Sequence, residues 1–214
     1  ISLLLSAGYI FGHAIIQVDR SGQNNIILYG GANQEITRED IEEVLADFQE
    51  GDLLLLQNEI SSLPYLLEKA AEKKMTVALN PSPISAALLL TDLSAVQYFL
   101  LNELEGMELT GESRPEDICR AMLKKYPGCK VVLTLGDRGA VYTDGKVTCA
   151  HGIYKVPVVD TTAAGDTFTG YFLACVAEGL SAEIALEKAS KASALTVSRP
   201  GASDSIPTRA EVDT

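Results

Sequence analysis

Short apolar runs recur at residues 53–57, 76–79, 96–101 and 131–135, with helical periodicity at 64–73, 103–109 and 115–125 between them. No other feature of the sequence constrains the fold as strongly. The runs are too short to span a membrane and too continuously apolar to be strands with one face in water. They fit interior strands covered by helices on both faces, hence an α/β fold with a mostly parallel sheet. In such sheets ligands bind beyond the carboxyl ends of the strands. The polar clusters of this chain fall at those ends: Gln57-Asn58-Glu59, Asn80-Pro81, Asn102-Glu103, residues 134–136, and the turn from Asp160 to Asp166.

The flanking segments predict smaller elements. Residues 13–18 and 25–29 surround Asp19-Arg20-Ser21-Gly22-Gln23, a hairpin pattern with Gly22 at the tight position. Two strands cannot bury a face alone, so this piece is expected to pack on other strands or on a second subunit. Gly30-Gly31-Ala32-Asn33 permits close backbone approach. Thr37 and Asp40 form a capping-box pattern opening a helix to about Gln49, with Ile41, Val44, Leu45 and Phe48 on one face. Residues 140–147 predict a hairpin around Asp144-Gly145, and Val156-Pro157-Val158-Val159 a short interior strand. Two helices, 165–178 and 181–198, meet at Gly179, with Ser181 as N-cap. With no repeat and no linker, one domain is expected over residues 1–214.

Composition narrows the partners. A net charge of -12 disfavours nucleic acid, and no apolar run reaches transmembrane length, so a cytoplasmic protein without a membrane partner is expected. Cys119, Cys129, Cys149 and Cys175 show no paired spacing and predict free thiols. With only His13 and His151, a His-rich metal site is excluded. The start, Ile1-Ser2-Leu3-Leu4-Leu5, has neither Met nor a basic flank, and it looks like a chain cut from something longer.

The segment Asp160-Thr161-Thr162-Ala163-Ala164-Gly165-Asp166-Thr167-Phe168 carries the chemistry. A strand, a tight turn of small residues and a helix start leave backbone N–H groups without intrahelical acceptors, which suits a phosphate. An acidic residue there repels a phosphate, but it makes sense if Asp166 takes the proton of a hydroxyl that attacks phosphorus. Ala163, Ala164 and Gly165 would then take up the developing charge. The plain alternative is a first-turn Asp favoured by the helix dipole.

The other candidates are less specific. Asn102 and Glu105 suit a magnesium ion held through water; the alternative is a solvated acidic helix start. Glu59 suits sugar hydroxyls but resembles many surface glutamates. Thr134, Gly136 and Gly139 could line an adenosine site, or be simply a strand end and a turn. Residues 199–205 form a polar loop whose carbonyls could bind a cation or cover a nucleotide. Neither Gly-x-Gly-x-x-Gly nor a P-loop pattern occurs.

The segment 159–168 resembles the carboxyl-side signature of the ribokinase (pfkB-type) family of carbohydrate kinases. Supporting matches run in order: Gly22-Gln23-Asn24, Gly31-Ala32-Asn33, Leu56-Gln57-Asn58-Glu59, Leu79-Asn80-Pro81-Ser82-Pro83, Asn102-Glu103-Leu104-Glu105, Thr134-Leu135-Gly136-Asp137-Arg138-Gly139 and 201–207. The resemblance implies a three-layer α-β-α sandwich with a small β lid at 13–29, and a homodimer through that lid. It implies transfer of the ATP γ-phosphoryl group to a sugar hydroxyl, most simply ribose to ribose 5-phosphate, with Mg2+ and K+. Asp166 would be the base, with Ala163, Ala164 and Gly165 as anion hole and Glu59 on the sugar. Asn102 and Glu105 would serve the phosphate–magnesium side, and Thr134, Gly136 and Gly139 the nucleotide. Ser190 stands where the family often has His or Asn beside the adenine. Asp160, Thr162, Thr196, Arg199, Gly201 and Ser205 match the loops that hold a monovalent cation. The amino-terminal third of the family pattern has no counterpart here. Other acceptors (fructose, a deoxy sugar acid, a nucleoside) and a non-catalytic nucleotide-binding or dimerisation module are the alternatives.

Overall fold

A computed structural model describes residues 12–18 and 24–214, in two compact units that divide after Val96. The expected turn at Asp19 to Gln23 and the opening residues Ile1 to Leu5 lie outside the described residues.

In the first unit, β1 (His13–Val18) and β2 (Asn24–Tyr29) pair antiparallel, with His13 opposite Tyr29 and Val18 opposite Asn24. Both faces of this hairpin carry exposed apolar side chains, among them Ile15, Ile27, Leu28 and Tyr29. A single 3-10 turn at Gly31–Gln34 leads to α1 (Arg38–Leu45). The capping box that opens α1 is present: Thr37 Oγ1 accepts the Asp40 N–H, and Asp40 accepts the Thr37 N–H. The helix ends at Leu45, short of the expected Gln49, so Ile41 and Leu45 are buried while Phe48 is left exposed. Next come β3 (Leu53–Gln57), α2 (Leu63–Glu72), β4 (Thr76–Asn80) and α3 (Ala86–Leu89). β3 and β4 run parallel, which places Gln57 opposite Asn80 at their carboxyl ends. Val77, Ala78 and Leu79 of β4 are fully buried, as a strand covered on both faces must be, whereas Leu55 of β3 is 43% exposed.

The second unit is built on β5 (Tyr98–Asn102), followed by α4 (Glu103–Thr110), α5 (Pro115–Lys125) and β6 (Lys130–Thr134). β5 and β6 are parallel, with Asn102 opposite Thr134. The chain then reverses through β7 (Ala140–Thr143) and β8 (Thr148–His151), both antiparallel. Asp144 caps that hairpin by accepting the N–H groups of Lys146 and Val147, and Gly145 supplies the left-handed turn residue (φ +84). α6 (Ala164–Ala177) and α7 (Ala182–Val197) follow, joined at Gly179, and α8 (Arg209–Val212) ends the described chain. Ala185, Ala189 and Ala192 of α7 are fully buried, with Phe172, Leu186, Val131 and Leu133 in the same unit's core.

Val156-Pro157-Val158-Val159 is not a strand. Pro157 has no N–H to give a ladder, the Val159 N–H bonds the Val197 carbonyl at the end of α7, and Val158 and Val159 are exposed. β-branched composition suggested a strand, but the segment is a connector that bends at Val159 and docks on a helix end.

Candidate active site

The turn entering α6 is shaped by Ala163, whose φ of +60 puts a non-glycine residue in the left-handed region. That conformation costs about 1–2 kcal/mol and persists only where the surroundings fix it. The first N–H of α6, that of Ala164, bonds the Thr161 carbonyl (3.3 Å), while helix geometry provides no acceptor one turn back for that of Gly165. Gly165 has ordinary helical backbone, and a methyl group built there would meet nothing within 4 Å. No internal packing therefore requires glycine at 165, although it replaces a better helix former, and Gly170 of the same helix is open in the same way. Asp166 lies one residue on, exposed in the first turn of α6.

Three sets of bonds hold this turn. Asp160 Oδ1 accepts the Thr162 N–H (2.9 Å) and hydroxyl (2.6 Å), while Oδ2 accepts the Gly201 N–H (3.1 Å). These bonds, the Thr162 hydroxyl foremost, hold the Asp160 carboxyl below its ordinary value. The N–H groups of Val159 and Asp160 both bond the Val197 carbonyl. From the other side, Ser193 Oγ donates to the Ala164 carbonyl (3.1 Å) and Thr196 Oγ1 to Thr167 Oγ1 (3.1 Å), binding α7 to the start of α6. Sequence reasoning missed the anchoring role of Ser193, because its partner lies 29 positions away and serine in a helix carries no such signal.

Thr162 and Gly201 thus gather around Asp160, whereas the other residues matched to a cation loop are differently engaged. Thr196 is fully buried against Thr167, Ser205 is buried with its hydroxyl on the Ala202 carbonyl (2.6 Å), and Arg199 pairs with Glu211 (2.5 Å). Of their main-chain carbonyls, that of Thr196 accepts the Arg199 N–H (3.1 Å). Ser190 is buried on α7.

At the carboxyl ends of β5 and β6, Asn102 and Glu105 cap α4 reciprocally. Asn102 Oδ1 accepts the Glu105 N–H (2.9 Å), and Glu105 Oε2 accepts the Asn102 N–H (2.8 Å). Helix rather than extended backbone begins at Glu103, so Glu103 and Glu105 point apart: Glu103 pairs with Arg138 of the next strand end, and Glu105 is buried. One carboxylate with the remaining positions left to water and phosphate suits magnesium. Thr134 Oγ1 reaches the Leu101 carbonyl (3.4 Å). Gly136 (φ +59) opens a 3-10 turn with nothing within 4 Å of an added methyl group. Gly139 differs: at φ +92 an added methyl group would lie 2.0 Å from the His151 carbonyl oxygen, so the fold itself demands glycine there.

In the first unit, Glu59 is exposed beyond β3, and its carbonyl accepts the Gln34 amide (2.7 Å). Beside it the Gln57 and Asn80 side chains bond across β3 and β4 (3.1 Å), and Asn58 donates to the Pro83 carbonyl (2.6 Å). Among the described residues no helix is long and apolar enough to cross a membrane, and no cluster of metal-ligating side chains occurs.

A tight turn of small residues with an acid at a helix start is an arrangement that suits phosphoryl transfer. The pfkB family carbohydrate kinase model matches residues 10–209. The chain belongs to that family, a class of ATP-dependent sugar kinases. Within it the similar proteins include ribokinases. The Haemophilus influenzae ribokinase is 35% identical over 209 residues, 94% of this chain and 67% of that protein. The Thermotoga maritima ribokinase structure matches with TM-score 0.77 at 34% identity, covering 94% of this chain and 68% of that one. The Arabidopsis thaliana ribokinase complexed with ribose and ATP matches with TM-score 0.79 at 31% identity, covering 96% of this chain and 69% of that one. The chain thus spans about two thirds of the length of these relatives.

Proposed function

We propose that this chain carries the phosphoryl-transfer part of an ATP-dependent ribose kinase that makes ribose 5-phosphate. The observation that carries the reading is the open space over Gly165 beside the exposed Asp166 carboxylate. Asp166 accepts the proton of the primary hydroxyl as its oxygen attacks the γ-phosphorus and the bond to the ADP oxygen breaks. The N–H groups of Ala163, Ala164 and Gly165 take up the charge that grows on the transferred group, already oriented before it arrives. Glu59 holds sugar hydroxyls, while Asn102, Thr134, Gly136, Gly139 and Ser190 line the nucleotide. Magnesium, when bound near Glu105, supplies positive charge to the phosphates; potassium is assigned to the loops of Asp160, Thr162, Thr196, Arg199, Gly201 and Ser205. The free thiols suit a reducing, cytoplasmic setting.

A second copy is the proposed cover of the hairpin, because Ile15 and Ile27 face each other across its strands at 54% exposure each. The reading of the site is tested by ADP release with ribose, ATP, magnesium and potassium. Ribose-dependent ADP formation is expected. ADP binding without it supports a non-catalytic nucleotide-binding module instead, and faster turnover with fructose or a nucleoside reassigns the acceptor.

A further inference from the structure

The ion pair between Arg199 and Glu211 sits just outside the bonds that hold the phosphate turn. Arg199 follows the end of α7, and its N–H bonds the Thr196 carbonyl. Two residues on, the Gly201 N–H meets Asp160 Oδ2, and Asp160 Oδ1 fixes Thr162 just before the strained Ala163. Glu211 grips from the far side with both oxygens. Oε1 takes the Arg199 guanidinium (2.5 Å), and Oε2 takes the N–H (2.7 Å) and hydroxyl (2.9 Å) of Thr208. The segment bearing Glu211 is itself anchored. Tyr171 of α6 donates to the Pro207 carbonyl (2.7 Å), Arg209 pairs with Glu178 at the end of α6, and Lys188 of α7 pairs with Asp213.

We infer that Arg199 and Glu211 are positioning residues for phosphoryl transfer: their pair holds the loop at 199–201 so that Gly201 keeps Asp160, and Asp160 keeps the turn leading to Asp166. Neither side chain is assigned to the reacting atoms. An exposed ion pair contributes little to global stability, so an effect of its loss concentrated on the turn marks positioning. The kinetic part rests on the function proposed above; the structural part does not.

The experiment combines amide hydrogen exchange, thermal melting and kinetics on the full chain carrying Arg199→Gln or Arg199→Lys. For Arg199→Gln the amides of Thr162 and Gly201 are expected to exchange about 2- to 30-fold faster, the range carried by such networks. Exchange within α6 beyond Phe168 and the melting temperature should stay as they are. kcat should fall over the same range while KM for ATP changes little, and Arg199→Lys, which retains the charge, should recover part of both. Wild-type exchange at Thr162 and Gly201 in Arg199→Gln overturns the inference, as does faster exchange throughout the second unit. If the wild-type chain does not phosphorylate ribose, the function proposal fails, and the exchange data still decide whether the pair holds the turn.

Discussion

A methyl group added at Gly165 would meet no protein atom within 4 Å, whereas one at Gly139 would lie 2.0 Å from the His151 carbonyl. Of the two positions, only Gly139 is therefore held to glycine by the fold. In Gly165→Ala the helix gains about 0.8–1 kcal/mol of propensity, so the melting temperature should hold or rise while turnover falls. Gly139→Ala should melt earlier, since its φ of +92 is unfavourable to any side chain. A lower melting temperature in Gly165→Ala would show that the space is not what keeps the glycine. Asp166→Asn should lower kcat by about 10²-fold or more with ADP affinity nearly unchanged, checked by turnover and calorimetry. At this scale the turn from Asp160 to the helix start at Ala164 was legible because its residues lie within one short stretch of sequence. Ser193 was not, nor the clasp from Gly201 to Asp160, because those bonds join residues 29 and 41 positions apart.

Among the elements, α8 gives the clearest pH dependence. Arg199, then Thr208, hold the Glu211 carboxyl down to about 2, below its ordinary 4.5. A carboxyl lowered by folding stabilises above its unfolded value, and the contribution is lost as pH falls toward the folded one. The difference in amide protection at Thr162 and Gly201 between wild type and Glu211→Gln should therefore be full at about pH 6 and shrink by about pH 3. A constant difference would mean that the charge contributes nothing. Elements with periodicity and punctuation were legible in the sequence: β3 matches residue for residue, and α5 starts at Pro115 as expected. The four-residue helices α3 and α8 were not, because one turn is too short to show a period. Asn102 and Glu105 show a further limit. Their spacing fits both a capping box and a magnesium site, and the structure realises the first while leaving the second as a proposal.

For the whole molecule, the hairpin is the part whose surroundings decide its stability. Ile15, Ile27, Leu28 and Tyr29 are each more than half exposed, which is costly for an isolated two-stranded ribbon. Sedimentation at micromolar concentration should give a dimer, and Ile27→Glu should shift it toward monomer; a monomeric wild type would remove the second copy as the hairpin's cover. The clasp between Asp160 and Gly201 also sets a schedule. The two residues are 41 positions apart. At ribosomal rates of about 5–20 residues per second, Asp160 waits about 2–8 s for its partner to be synthesised. A nascent chain halted before Gly201 would carry every residue of the turn from Asp160 to Asp166 and still lack the bond that closes it, so the turn can be locked only after those 41 residues have been added.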